Sequence, residues 1–201
     1  MVMSLRNKIP KFNFVPFSKK QLQLLTWWTD NSPYKDFDIV IADGSIRSGK
    51  TVSMALSFTL WAMTEFNGQN FAICGKTIHS ARRNVIQPLK QMLVSRGYEI
   101  KDVRNENLII IRYINKGKEI VNYFYIFGGK DESSQDLIQG VTLAGIFCDE
   151  VALMPESFVN QATGRCSVEG SKMWFSCNPG NPNHYFKKNW IDKQIEKRIL
   201  Y

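Results

Sequence analysis

The eight residues Gly44-Ser45-Ile46-Arg47-Ser48-Gly49-Lys50-Thr51 constrain this chain more than any other segment, because they fit G-x-x-x-x-G-K-[ST] between two hydrophobic patterns of different kind. Upstream, Phe37 to Ala42 is a short apolar run of the sort that forms a buried strand. Downstream, Lys50 to Phe66 is a long apolar segment of helical length. Glycines let the backbone curl so that successive N–H groups converge, and a helix that starts where the curl ends adds the positive end of its dipole. The result is a cradle for phosphate: the backbone of 44–51 faces the anion, Lys50 neutralises β- and γ-phosphate oxygens, and the Thr51 hydroxyl ligates Mg²⁺. The eight-residue pattern alone also fits a plain glycine-rich turn; the strand before it and the helix after it select the phosphate loop. Gly75-Lys76-Thr77 follows a strand too, but the place of the first glycine is taken by Asn70, so Lys76 reads as an ordinary loop residue.

The rest of the chain alternates in the same way. Strand-like runs occur at Asn70 to Cys74, Leu108 to Tyr113, Ile120 to Phe127, Gly145 to Cys148 and Lys172 to Cys177. Helical segments occur at Lys19 to Thr29, His79 to Arg96, Glu156 to Thr163 and Tyr185 to Lys197. Asn115 to Lys118, polar with one glycine, predicts a β-hairpin between two of the runs. The expectation is therefore an α/β P-loop NTPase fold, RecA/ASCE-like, with a mostly parallel sheet flanked by helices and a β-hairpin insertion. A length of 201 residues allows one sizeable core, so 1–201 is expected to be a single ATPase domain. Arg198 to Tyr201 begins a further strand-like run without room to finish it, which suggests a piece of a longer protein. The four cysteines lack C-x-x-C pairing and zinc-ligand spacing, and no apolar run reaches membrane-spanning length. A soluble, intracellular protein is expected. The formal charge of +8 fits work beside an anionic polymer, though proteins that bind none share such a balance.

A second pole of chemistry lies about a hundred residues downstream. Ala144-Gly145-Ile146-Phe147-Cys148-Asp149-Glu150 is an apolar run ending in two carboxylates, the pattern of a Walker B strand. In such sheets ligands sit beyond the carboxyl ends of the strands, so both acids should project to the phosphates. Asp149 then holds Mg²⁺, and Glu150 orients and deprotonates the attacking water. The same pair would also suit a helix cap followed by a solvated first-turn acid. Ser176-Cys177-Asn178-Pro179 places small polar groups at another strand end, where a γ-phosphate sensor would sit, although Asn-Pro-Gly is also a turn signal.

Together these residues resemble the ATPase domain of the large terminase subunit of tailed bacteriophages, in the flavour of Gram-positive phages and PBSX-like prophages. The resemblance runs over nearly the whole chain: Phe17-Ser18-Lys19-Lys20-Gln21, the loop with Arg47, the Asp149-Glu150 acids and Ser176-Cys177-Asn178-Pro179. It implies that Gln21 contacts adenine, that Arg47 contacts the γ-phosphate as a third catalytic group beside Glu150 and Lys50, and that Asn178 couples hydrolysis to movement. It implies ATP and Mg²⁺ as cofactors, and translocation of double-stranded DNA into a procapsid in the host cytoplasm. The implied partners are non-specific DNA, a portal protein, a small terminase subunit and further copies in a ring, expected to be a pentamer. Many family members carry an arginine about ten residues before the acidic pair, where this chain has Ile138-Gln139-Gly140, so the resemblance does not extend to an arginine finger there. They also carry a C-terminal nuclease domain, and after Asn178 only Asp192 and Glu196 remain as acids, so no nuclease activity is expected here. Two other classes fit parts of the pattern: a helicase or remodeller of the same fold, and an ATP-dependent assembly switch that hardly hydrolyses.

Overall fold

The computed structural model describes residues 16–44, 49–131, 134, 138–178, 181–193 and 195–201. Its eight strands are β1 (Ile39–Asp43), β2 (Asn70–Gly75), β3 (Glu99–Val103), β4 (Leu108–Asn115), β5 (Lys118–Gly128), β6 (Gly145–Cys148), β7 (Lys172–Cys177) and β8 (Arg198–Leu200). They form one sheet in the order β3-β4-β5-β2-β6-β7-β1-β8. From β5 to β8 every neighbouring pair is parallel, while β3 and β4 join antiparallel. The hairpin between β4 and β5 closes on Lys116 and Gly117, both at positive φ (48° and 82°), as a two-residue turn matched to strand twist demands.

Both faces of the inner parallel strands β1, β2, β6 and β7 are buried, and the side chains divide between them with a period of two. Val40, Ala42, Phe71, Ile73, Phe147 and Trp174 face one core, which α1 (Lys19–Thr26), α2 (Lys50–Glu65) and α4 (Gln87–Val94) cover. Ile41, Ala72, Cys74, Ile146, Cys148 and Phe175 face the other, covered by α5 (Glu156–Gly164) and the segment around Ile191. Phe58 of α2 sits at the centre of the first core, edge-on to Phe71, Phe124 and Trp174 at 5.8, 6.1 and 5.2 Å. Gly145 opens β6 because the Trp61 ring lies 2.6 Å from where a Cβ would stand. None of the described helices is long and apolar enough to cross a membrane.

Three segments differ from the expectation. The helix expected from His79 is built from α3 (Ile78–Ala81), a π-helical turn Arg82–Ile86 and α4. Pro88 lies in the first turn of α4; it has no N–H to give and its ring would press on the carbonyl four residues back, and a widened turn relieves both problems. The helix expected over Tyr185 to Lys197 is instead a π-helical turn, Lys187–Asp192. The chain then reverses so that Lys197, at φ 53°, accepts from Asp38 N–H at 2.9 Å and β8 can pair with β1. The third is β3, Glu-Ile-Lys-Asp-Val, an edge strand with no fully buried residue.

Candidate nucleotide site

β1, β7 and β6 are neighbours in that order, and all three end on the same side of the sheet. Their carboxyl ends carry Gly44, Asn178 and Asp149. Gly49 caps α2 in the left-handed conformation, φ 77°, which only glycine adopts without strain. The Gln21 Nε2 lies 2.5 Å from the position a Cβ on Gly49 would take, so a larger residue there would have to push that amide aside. Gln21 is brought there by its own helix: Ser18 caps α1, accepting from Gln21 N–H at 3.3 Å while the Gln21 Oε1 accepts from Ser18 N–H at 2.8 Å. Ser45, Ile46, Arg47 and Ser48 lie outside the described residues.

A chain of hydrogen bonds joins the loop to the acids. Lys50 Nζ donates to Gly44 O at 2.7 Å and to Asn178 Oδ1 at 3.3 Å. Thr51 Oγ1 donates to Asp149 Oδ1 at 2.7 Å, and Ser176 Oγ donates to the same oxygen at 2.7 Å. Ser176 Oγ accepts in turn from Glu150 N–H at 3.0 Å. Asp149 is buried, at 4% exposure, so its carboxylate depends on these donors for the solvation that water would supply. Glu150 is half-buried and adopts φ 54°, ψ 47°, a left-handed backbone that a non-glycine residue holds only when its surroundings dictate it.

These groups line a cleft of about 320 Å³, flanked by two others. One, of about 340 Å³, runs toward Ser18, Lys20, Gln21 and Tyr201; the other, of about 360 Å³, toward Asp43, His184 and Lys187 beside Glu150. Cys177 also lines the cleft, but burial, and then the charge of Asp43, push its thiol up to about 12, so it stays protonated and is no nucleophile. The donor set fits a magnesium triphosphate: a helix N-terminus, a lysine, a hydroxyl and a buried carboxylate, with a second carboxylate beside them. Gly44, Gly49, Lys50, Thr51, Asp149, Glu150 and Asn178, all singled out in the sequence, meet here, and Gln21 reaches the edge. Sequence reasoning missed Asp43 and Asn84. Asp43 was legible as the residue just before the loop; Asn84 carries no signal, because only folding brings the π turn over the cleft.

Residues 41–198 match the family described as terminase large subunit, T4likevirus-type, N-terminal. The chain belongs to this terminase family. The large terminase of a thermophilic bacteriophage is 61% identical, with a TM-score of 0.86 over 92% of this chain and 46% of that one. The same thermophilic-phage protein in complex with ADP matches at 60% identity and TM-score 0.85, over 92% and 45%. The large terminase ATPase domain of Thermus phage P74-26 shares the fold at 16% identity, TM-score 0.61, over 92% of this chain and 84% of that one. No curated protein sequence matches the chain. This terminase chain spans about half the length of the thermophilic-phage protein, 46% in the first comparison. Its sheet and flanking helices are those of terminase ATPase domains, as the P-loop pattern predicted.

Proposed function

We propose that this domain hydrolyses ATP in the cleft at the ends of β1, β7 and β6, and that the whole terminase uses the hydrolysis to drive double-stranded DNA into a procapsid. The observation that carries the reading is the bonding of Lys50 to Gly44 and Asn178, and of Thr51 and Ser176 to Asp149, which ties the start of α2 to the ends of β1, β7 and β6 and brings cation, hydroxyl and acid together. The complex of the thermophilic-phage protein with ADP supports the choice of nucleotide.

Lys50 would exchange its neutral acceptors for β- and γ-phosphate oxygens. Thr51 and Asp149 would hold Mg²⁺, which supplies neutralisation of the charge that develops on the phosphates. Glu150, in the same cleft, accepts the proton of the attacking water as its oxygen bonds to the γ-phosphorus and the bond to the bridging oxygen breaks, releasing ADP and phosphate. Asn178, bonded to Lys50, is placed to sense whether that lysine holds phosphate. Gln21, beside the left-handed Gly49, would contact adenine, and Arg47 the γ-phosphate.

Residues 1–201 form the ATPase unit in this reading, with nuclease chemistry outside it. The loop arginine and Ser176-Cys177-Asn178-Pro179 support placement with the PBSX-like and Gram-positive phage type. A homo-oligomeric ring on the portal, with a small terminase subunit, in the host cytoplasm, is the setting. Such rings often take an arginine from the neighbour; of Arg82, Arg83, Arg165 and Arg198, Arg82 is bound to Asp102, Arg83 to Asn84, and Arg198 to Trp190 O and Lys193 O, which leaves Arg165 as the better donor in trans.

Lys50→Ala should lose ATP and ADP binding in calorimetry. Glu150→Gln should bind both as the parent does and lose turnover by about a hundredfold or more, since the amide cannot take the proton. Undiminished binding by Lys50→Ala would refute the site, and parental turnover by Glu150→Gln would refute its base.

A further inference from the structure

Asn84, a polar residue on the wall of the phosphate cleft, belongs to none of the loop or strand-end motifs. It sits on the π-helical turn Arg82–Ile86, where the N–H of Gln87 reaches back five residues to Arg82 O. A π turn puts one extra residue into the helix and so re-aims its side chains, and such turns concentrate at working sites. This one is anchored from behind. Arg82 Nη1 donates to Asp102 Oδ1 at 2.9 Å, and Lys90 of the following helix donates to the other oxygen of Asp102 at 2.9 Å. Arg83 Nε donates to Asn84 Oδ1 at 3.1 Å. A guanidinium can only donate, so this bond fixes the carboxamide: the oxygen turns to Arg83, and the Nδ2 donors are left for other partners. Among the described residues they have none.

We propose that Asn84 is a further catalytic residue, its Nδ2–H donating to an oxygen of the terminal phosphate as that group transfers to water, with Arg83 holding the amide in the right sense. The inference rests on the reading of the cleft as an ATP site. Its chemistry follows from the charge that spreads over the equatorial oxygens during transfer: a fixed neutral donor stabilises that charge without adding a competing counterion. Because ADP lacks the terminal phosphate, the donor should matter for turnover and not for ADP.

The test compares Asn84→Ala and the isosteric Asn84→Asp with the parent in steady-state ATP hydrolysis and ADP calorimetry, with thermal melting as the control for folding. The expected result is a fall in kcat of about tenfold or more for Asn84→Ala, a larger fall for Asn84→Asp, which puts a negative group against the phosphate, and ADP affinity unchanged in both. Arg83→Ala should fall between parent and Asn84→Ala. A kcat within twofold of the parent in Asn84→Asp would overturn the proposal. So would a loss of ADP affinity in step with kcat, which would mark Asn84 as part of the scaffold. If the parent itself neither binds nor hydrolyses ATP, the reading of the cleft fails, which is a separate result.

Discussion

Glu150 lies in a backbone region that costs a non-glycine residue on the order of 1–3 kcal/mol, and two bonds hold it there: its own N–H to Ser176 Oγ at 3.0 Å and its carbonyl to Leu153 N–H at 2.8 Å. Glycine adopts the same angles freely. Glu150→Gly should therefore leave urea stability unchanged or raise it by up to about 1 kcal/mol while abolishing hydrolysis, whereas Glu150→Gln should abolish hydrolysis and keep the strain. A clear loss of stability in Glu150→Gly would show that the side chain, and not the backbone, holds the turn. Ser176→Ala removes a donor from buried Asp149 and the acceptor of Glu150 N–H together. It should cost about 1–3 kcal/mol in the same titration and lower turnover as well.

The π turn is an element-scale device, and its anchor titrates. Burial raises the Asp102 carboxyl, but the hydrogen bonds and charges of Lys90 and Arg82 outweigh it, and the net effect holds the group below its ordinary value. A lowered folded pKa contributes stability above the unfolded pKa of about 3.9, and that stability disappears as pH falls through the folded value. Asp102→Asn should thus be less stable than the parent by about 1–3 kcal/mol at pH 7, and the gap between the two urea midpoints should narrow as the pH is taken below about 3.9. Legibility also divides by element. β6 and β7 were readable to the residue, because strands buried on both faces are continuous apolar runs. β3 was not, since an edge strand with three charged residues in five satisfies no burial pattern. The π turns were not either: Pro88 announces a disturbance in the helix, but only the packed structure decides between a kink, a break and a wider turn.

At the scale of the whole molecule, no base-reading element among the described residues focuses the formal charge of +8, so DNA binding should be weak, indifferent to sequence and governed by counterion release. Affinity for a duplex, measured by fluorescence anisotropy, should fall about tenfold or more between 50 and 200 mM salt; salt-independent or sequence-selective binding would contradict the proposed motor role, which requires a grip on any duplex. The two ends of the nucleotide site were legible because each is a contiguous motif. Their convergence was expected from the rule that ligands sit beyond the carboxyl ends of the strands, but the order of the strands was not legible: that β7 stands between β1 and β6 is a fact of topology. That interposed strand bears on robustness. Ser176 and Asn178 stand two apart on one chain, one gripping the acid and the other the lysine. Two faults in one strand end would sever both connections at once, leaving the bond from Thr51 to Asp149 as the remaining described tie between the loop and the acid. A design with so little redundancy should tolerate drift almost anywhere else in the sheet before it tolerates any at the end of β7.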